Sequence, residues 1–183
     1  MRRITRSHVA WAFVLVAVFA ASVAAQDTPT PSKPCRDALC AVVFDWGNGQ
    51  SAAGFATDRR YGSPSDFEAV LRQTLSDKGF RLAERNGDAK LTVLLRLSMM
   101  SAICDFMPGT NTDRSCQTVR DVALSFANAD PAVKNIGSTR LNNRCGANDQ
   151  VMTAVQFGRL TADFIQYLIE GEQNHLTRPA AKC

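Results

Sequence analysis

Histidine, the side chain most used for acid-base and metal chemistry, is scarce in this chain of 183 residues. Of the two histidines, His8 lies in an N-terminal segment that we expect to be removed, which leaves His175. A Ser-His-Asp or Cys-His system would depend on His175, which follows the last predicted helix in a polar tail where little fixes its geometry. A histidine-based zinc site fails for the same reason, so the sequence predicts no metal and no cofactor.

Carboxylates are the second group that could do chemistry, either as a general acid and base or around a cation. Four aspartates are expected on strands or near strand ends: Asp45, Asp105, Asp113 and Asp121. The chain has 17 acidic residues, so near-pairs also arise by chance, and no calcium-loop spacing is present. We expect these carboxylates to be solvated or paired with arginine, and a small exported hydrolase that uses them is an alternative function.

Glycines follow the first predicted strand at Gly47, Gly49 and Gly54. A dinucleotide-binding fingerprint needs G-x-G-x-x-G leading directly into a helix. Here the third glycine is misplaced and the next predicted helix begins much later, so no nucleotide site is predicted.

The loop at residues 45–61 has the composition of a binding surface. It follows the C-terminal end of the first predicted strand, where α/β crevices form, and it carries the aromatic and arginine side chains that binding hot spots use. The candidate binding residues are Trp46, Asn48, Gln50, Arg59, Arg60 and Tyr61. The alternative is that Trp46 and Phe55 fix a long loop to the core while the arginines face solvent.

Residues 90–103 form the strongest strand signal, because apolar side chains recur there with a period of two. One predicted face is wholly apolar and belongs to the core: Leu91, Val93, Leu95, Leu97 and Met99. The opposite face offers a second candidate binding surface at Leu94, Arg96 and Met100. If helices cover only one side of the sheet, this surface would bind a partner or a second copy. If the lead-in or the tail covers it, that inference disappears.

The N-terminus has the pattern of a secretory signal. Arg2, Arg3 and Arg6 precede an apolar run at residues 9–23 that ends in small residues, which predicts a cleaved signal peptide at residues 1–25. The run has 15 residues, whereas a membrane span usually needs about 20, so no membrane span is expected after cleavage. No lipid-anchoring cysteine follows. The predicted location is the bacterial periplasm or the medium.

Net charge gives no support to a nucleic-acid partner. The formal charge of the chain is +4, but the predicted signal peptide carries three arginines and no acidic residue. The exported part therefore keeps 18 of the 21 basic residues against 17 acidic ones, a formal charge of +1. Binding to nucleic acid needs clustered positive charge, and none is apparent in this balance.

All six cysteines lie after the predicted signal: Cys35, Cys40, Cys104, Cys116, Cys145 and Cys183. An even count in an oxidising compartment predicts three structural disulfides, and no C-x-x-C spacing indicates a metal or redox site. The predicted hairpin pairs Cys104 with Cys116. The other four leave two alternatives, either Cys35 with Cys40 and Cys145 with Cys183, or Cys40 with Cys145 and Cys35 with Cys183.

Composition predicts one domain at residues 40–171, between a flexible lead-in at 26–39 and a polar tail at 172–183 that ends in the terminal cysteine. The predicted order is strand 40–46, helix 65–78, strand 90–103, strand 117–127, a weaker strand 133–141 and a helix that ends near 170. A capping box of Ser63 and Asp66 should start the first helix and Gly79 should end it. Asn148 or Asp149 should cap the last helix.

This order predicts the fold class. A strand-helix-strand unit joins parallel neighbours, and the next strand pairs back antiparallel, so the sheet is mixed. We therefore expect a two-layer α+β fold, with a mixed three- to four-stranded sheet and two helices packed on one face, in the order β-α-β-β-(β)-α.

A strand that ends in an aromatic residue, a helix ending in Lys78-Gly79-Phe80 and a strand led by Ala89 occur in this order. The organisation resembles small periplasmic domains of uncharacterised bacterial envelope proteins. Their fold recurs in the penicillin-binding-protein activator lipoprotein and the curli-secretion lipoprotein. Those proteins are commonly lipid-anchored, whereas this chain lacks the anchoring cysteine and has six others, so no functional residue is carried over.

The function that the sequence favours is a non-enzymatic exported envelope module. It would bind a protein or a cell-wall component through the loop at residues 46–61 or through the open face of the sheet. A small exported hydrolase is one alternative, and a secreted inhibitor or effector is another.

Overall fold

The computed structural model describes residues 33–47, 49–54, 60–103, 115–128, 138–145 and 150–181. These residues belong to a unit that spans Pro31–Cys183, and the predicted signal peptide lies outside them. The strands and helices are β1 (Cys40–Asp45), α1 (Pro64–Asp77), β2 (Leu91–Ile103), β3 (Ser115–Asn128), β4 (Thr139–Asn142), β5 (Arg144–Cys145), β6 (Gln150–Val151) and α2 (Ala154–Asn174). Short 3-10 turns lie at Ala52–Gly54 and Asn86–Asp88.

The main sheet has four strands in the order β1-β2-β3-β4. β1 is parallel to β2, while β2 with β3 and β3 with β4 are antiparallel. β5 and β6 pair as a separate, small antiparallel sheet. The predicted α+β class and mixed sheet are confirmed. β4 overlaps the C-terminal part of the weaker predicted strand, whose residues 133–137 lie outside the described ones.

Helix α1 begins and ends where local sequence signals place it. The Ser63 hydroxyl accepts from the Asp66 N–H at 3.0 Å and the Asp66 carboxylate accepts from the Ser63 N–H at 2.7 Å, which completes the predicted capping box. At the other end Gly79 has a φ of +82°, and the Phe80 N–H donates to the Leu75 carbonyl at 3.0 Å. This is the left-handed helix ending that glycine favours.

Helix α2 differs from the prediction at both ends. Its cap is Thr153 rather than Asn148 or Asp149, because Thr153 and Gln156 form a capping box several residues later. The helix was predicted to end near residue 170, but it passes Gly171 and continues to Asn174, where His175 follows in the left-handed conformation with a φ of +50°. Gly171 is buried against the Tyr167 ring, so packing rather than helix termination accounts for this glycine.

The core lies between the sheet and the two helices. α1 and α2 contact each other, and both contact β3. The side chains that β2 turns toward the helices are buried: Leu91, Val93, Leu95 and Leu97. Phe67 on α1 and Phe157 on α2 are also buried, with ring centroids 5.5 Å apart. The helices therefore cover the predicted apolar face of β2.

Among the described glycines, Gly158 lies at the close contact between α1 and α2. A Cβ atom there would lie 2.9 Å from the Phe67 carbonyl oxygen, which is backbone and moves only with α1. Gly158→Ala should lower the free energy of unfolding by about 1 to 2 kcal/mol, because overpacking outweighs the gain of about 1 kcal/mol in helix propensity. Urea denaturation followed by circular dichroism measures this.

Gly87→Ala is the matched control for this change, since nothing lies within 4 Å of the place that an added Cβ atom would take and the Gly87 backbone is not left-handed. Its effect should stay within about 0.5 kcal/mol, as for other exposed substitutions. A Gly158→Ala protein as stable as the parent would contradict close helix contact at this residue.

The cysteines confirm one predicted disulfide. Cys35 and Cys40 are bonded to each other and both are buried. The alternative that paired Cys40 with Cys145 is therefore wrong, because Cys40 is already occupied. Cys145 is disulfide-bonded as well. Cys104, Cys183 and the side chain of Cys116 lie outside the described residues, so their pairings stay predictions.

Candidate functional site

The outer sheet face is the side of the four-stranded sheet opposite the helices. Strand register arranges its side chains in three rows. The rows consist of Val43, Leu94 and Ser125; of Asp45, Arg96, Ala123 and Arg140; and of Ser98, Asp121 and Asn142. Alternation along each strand puts these residues opposite the buried ones.

The described residues leave the middle of the outer sheet face open. Leu94 is 37% exposed, more than any other large apolar side chain in the described part of the chain. The Arg96 side chain is 80% exposed and that of Arg140 is 65% exposed. Met100, the third predicted residue of this surface, is half-buried. The helices thus cover the other side of the sheet and not this one.

Buried residues occur toward each end of the outer sheet face. Ala41 on β1 is buried beside the segment at residues 82–90, which is held by bonds from the Ala83 N–H to the Cys40 carbonyl (2.7 Å) and from the Lys90 N–H to the Leu39 carbonyl (2.9 Å). Thr118 is buried further along the β2-β3 hairpin. In the row of Ala41, Thr92 and Ala127, Ala41 is buried, Thr92 is half-buried and Ala127 is exposed, so this end is closed on the β1 side only.

Two clusters of oppositely charged side chains lie on the outer sheet face. Arg96 Nε donates to Asp45 Oδ2 at 3.2 Å, and Asp121 Oδ2 accepts from Arg120 Nε at 2.6 Å and from an Arg140 nitrogen at 3.3 Å. The pKa of Asp45 lies below its ordinary value, first because the Gly47 N–H donates to its carboxylate and then because Arg96 does. Asp45 therefore stays ionised and is poorly suited to act as a general acid.

A shallow depression of about 230 Å³ lies within the open rows. It is lined by Val43, Asp45, Leu94, Leu95, Arg96, Ala123 and Ser125. Its floor on β3 is made by the small side chains of Ala123 and Ser125, while longer side chains rise on β2. A surface with small side chains beside longer ones can accommodate a protruding side chain from a partner.

The structure places some candidate residues of the loop in the core and others at the surface. Trp46 is buried and stacks on Phe44 with centroids 5.8 Å apart, which favours its role as an anchor of the loop. Gln50 and Arg60 are exposed, and the Arg60 guanidinium lies 5.7 Å from the centre of the half-buried Tyr61 ring. Asn48, Arg59 and Phe55 lie outside the described residues. The described loop residues thus form no continuous exposed cluster with Trp46.

The remaining candidates for chemistry are placed apart. His175 is the exposed residue that ends α2. Within the described ranges no three His, Cys, Asp or Glu side chains are grouped as metal ligands would be. Asp105 and Asp113 lie outside those ranges.

A second depression, of about 350 Å³, lies between α2 and the C-terminal tail. It is lined by Met152, Gln156, Arg159, Leu160, Asp163, Pro179 and Ala180. Gln156 is engaged in the helix cap and Asp163 binds Lys78 at 2.9 Å, so these two polar groups already have structural partners.

Arg36 has a structural role that sequence reasoning missed. It lies in the predicted flexible lead-in, yet its Nε donates to Glu170 Oε1 at 2.6 Å and a terminal nitrogen donates to Glu170 Oε2 at 3.1 Å. The same guanidinium lies 4.8 Å above the Phe80 ring and donates to the Lys78 carbonyl. An arginine inside a short loop between two cysteines was the one available signal, because the disulfide fixes the position of that loop.

Comparisons with protein families, with curated proteins and with solved structures find no match to this chain. The resemblance to the envelope lipoproteins therefore stays a prediction. Among the described residues, no helix is both long enough and apolar enough to cross a membrane.

Proposed function

We propose that this chain is a non-enzymatic binding module of the bacterial cell envelope, and that the outer sheet face is its protein-binding surface. The observation that carries the proposal is the exposure of Leu94, which lines the depression together with Arg96. An exposed leucine beside arginines and small residues combines the apolar contact and the directional charge that protein interfaces use.

The location in the envelope is supported by two sequence features and one structural one. The N-terminal pattern of basic, apolar and small residues favours export, and the cysteine count favours an oxidising compartment. The buried bond between Cys35 and Cys40 fits such a compartment, where structural disulfides persist. Export and location remain parts of the proposal.

A protein fits the outer sheet face better than a cell-wall sugar does. The three open rows contain no aromatic side chain, so they lack the flat ring on which a sugar ring would pack. They do contain paired arginines and aspartates, which match the polar rim of protein interfaces. The loop is the weaker site, because its tryptophan is buried.

Site-specific photocrosslinking tests this function. A photoreactive phenylalanine analogue is placed at position 94 of the full chain, which is expressed in the exporting cell. The matched control carries the analogue at position 69, where Ala69 is exposed on α1 on the other side of the molecule. We expect covalent protein adducts at position 94 that exceed those at position 69 severalfold. Equal adduct formation at the two positions would overturn the proposal.

A paired substitution measures the contribution of the leucine. Leu94→Lys should weaken binding of the crosslinked protein at least about tenfold, because a buried leucine contributes roughly 1.5 to 3 kcal/mol and 1.4 kcal/mol is tenfold in affinity. Ala69→Lys adds the same charge off the face and should leave affinity unchanged. Unchanged affinity in the Leu94→Lys protein would contradict a contact at this residue.

A further inference from the structure

We infer that the protein bound by the outer sheet face is a second copy of this chain, related by a two-fold axis that runs along the strands. The inference rests on the proposed function and names its partner. It is carried by the row Asp45, Arg96, Ala123 and Arg140. When a second copy of this row is laid over the first in reverse order, the acidic end meets a basic end and the long central side chain meets the small one.

Charge is the first part of this complementarity. Asp45 is on the β1 edge of the sheet and Arg140 is on the β4 edge, in the same row. When two such faces meet about an axis along the strands, β1 of one copy lies over β4 of the other. Asp45 then faces Arg140 of the second copy, and the symmetric contact repeats it, so each dimer gains two opposite-charge pairs.

Side-chain size is the second part. The same axis places β2 of one copy over β3 of the other. Arg96 then lies over Ala123 of the second copy, and in the neighbouring row Leu94 lies over Ser125. Each long, exposed side chain of β2 thus meets a small residue of the depression, so the side chains of the two copies interdigitate. In the third row Ser98 lies over Asp121, and the Ser98 hydroxyl can donate a hydrogen bond to the Asp121 carboxylate.

The other two-fold axis does not give this match. An axis that crosses the strands at the row of Asp45, Arg96, Ala123 and Arg140 would place every side chain of that row over its own copy. Arg96 would then face Arg96 and Asp45 would face Asp45, and like charges in direct opposition are unfavourable. The axis along the strands, adjusted for the usual angle of about 30° between packed sheets, is the one that pairs opposite charges.

The small open area limits the interface that two copies can form. Four strands about 4.8 Å apart and three rows about 7 Å apart give a face of roughly 400 Å² on each copy. The dimer would therefore bury roughly 800 Å², which is below the size of most stable complexes, so we expect weak and reversible association. Concentration should control its formation.

Charge reversal and mixing test the inference by sedimentation velocity of the oxidised protein. Asp45→Arg alone and Arg140→Asp alone should each weaken self-association roughly tenfold, since each puts like charges in opposition twice per dimer. An equimolar mixture of these two variants should form a heterodimer close to parental strength, because every contact again joins opposite charges. Asp77→Arg, at an exposed position on α1, is the control and should associate like the parent.

Circular dichroism melts of both single variants establish that they remain folded, as expected for changes at exposed side chains. A parent that stays monomeric at millimolar concentration would overturn the inference, as would a mixture that associates no better than its two components. Adducts at position 94 that join this chain to a different protein would overturn the dimer while supporting the proposed function. The absence of any excess adduct at position 94 would overturn the proposed function itself.

Discussion

Glu170→Gln should lower the free energy of unfolding at neutral pH by about 2 to 3 kcal/mol. Glu170 is buried on α2, and Arg36 binds both of its carboxylate oxygens. Removing one partner of a buried ion pair leaves the other without compensation, at a cost of about 3 to 5 kcal/mol. The Arg36 side chain is 28% exposed, so water can solvate part of it, which reduces the expected cost to about 2 to 3 kcal/mol.

The same pair should produce a dependence of stability on pH. Burial raises the pKa of Glu170. The hydrogen bonds from Arg36 and Gln166 and the charge of Arg36 lower the pKa by more than burial raises it, so it lies below its ordinary value of 4.5. A carboxyl group with a depressed pKa in the folded protein stabilises it above the unfolded pKa and loses this effect as the pH falls through the folded value. The parent should therefore lose stability below about pH 4.5, with part of that loss absent in Glu170→Gln.

Glu68→Gln is the control for both measurements. Glu68 binds Arg72 at 3.0 Å one turn away on α1, with both side chains partly exposed, and such a pair contributes about 0.3 to 0.5 kcal/mol. Urea denaturation at several pH values compares the two variants. Equal effects of the two substitutions, or an unchanged pH profile in Glu170→Gln, would contradict the role assigned to this ion pair.

Local signals were readable from the sequence, whereas the Arg36 contact was not. The Ser63 capping box and the Gly79 helix ending depend on residues within one turn, so their spacing is visible along the chain. Arg36 and Glu170 are 134 positions apart, and no periodicity links them. Their contact depends on where the disulfide loop and α2 meet in three dimensions, which propensity does not specify.

The candidate site was likewise predictable from the sequence only in part. Alternation along β2 predicted that Leu94 and Arg96 share a face, but the row that joins Arg96 to Arg140 depends on strand register. The register shifts between Ser98 and Met99, and Asn143 holds this irregularity with bonds to the Arg120 and Val119 carbonyls. A single extra residue changes which side chains are neighbours beyond it, and the sequence carries no local sign of that change.

Trp46→Ala should lower the free energy of unfolding by about 3 to 4 kcal/mol, within the range for deletion of a large buried aromatic side chain. Trp46 stacks on Phe44 at 5.8 Å, and Phe44 meets the Phe67 ring edge-on at 6.4 Å. Through Phe67, the loop after β1 is connected to the core between the helices. Thermal and urea unfolding followed by far-ultraviolet circular dichroism measure the loss.

Trp46→Phe separates the anchoring role from a binding role. Phenylalanine preserves stacking on Phe44 with less volume, so the loss should be about 1 to 2 kcal/mol and the variant should stay folded. A folded Trp46→Phe protein should then give the parental yield of adducts at position 94, because Trp46 lies in the core and Leu94 lies on the outer sheet face. A folded variant that loses those adducts would instead make Trp46 a binding residue, and the loop rather than the sheet would become the functional surface.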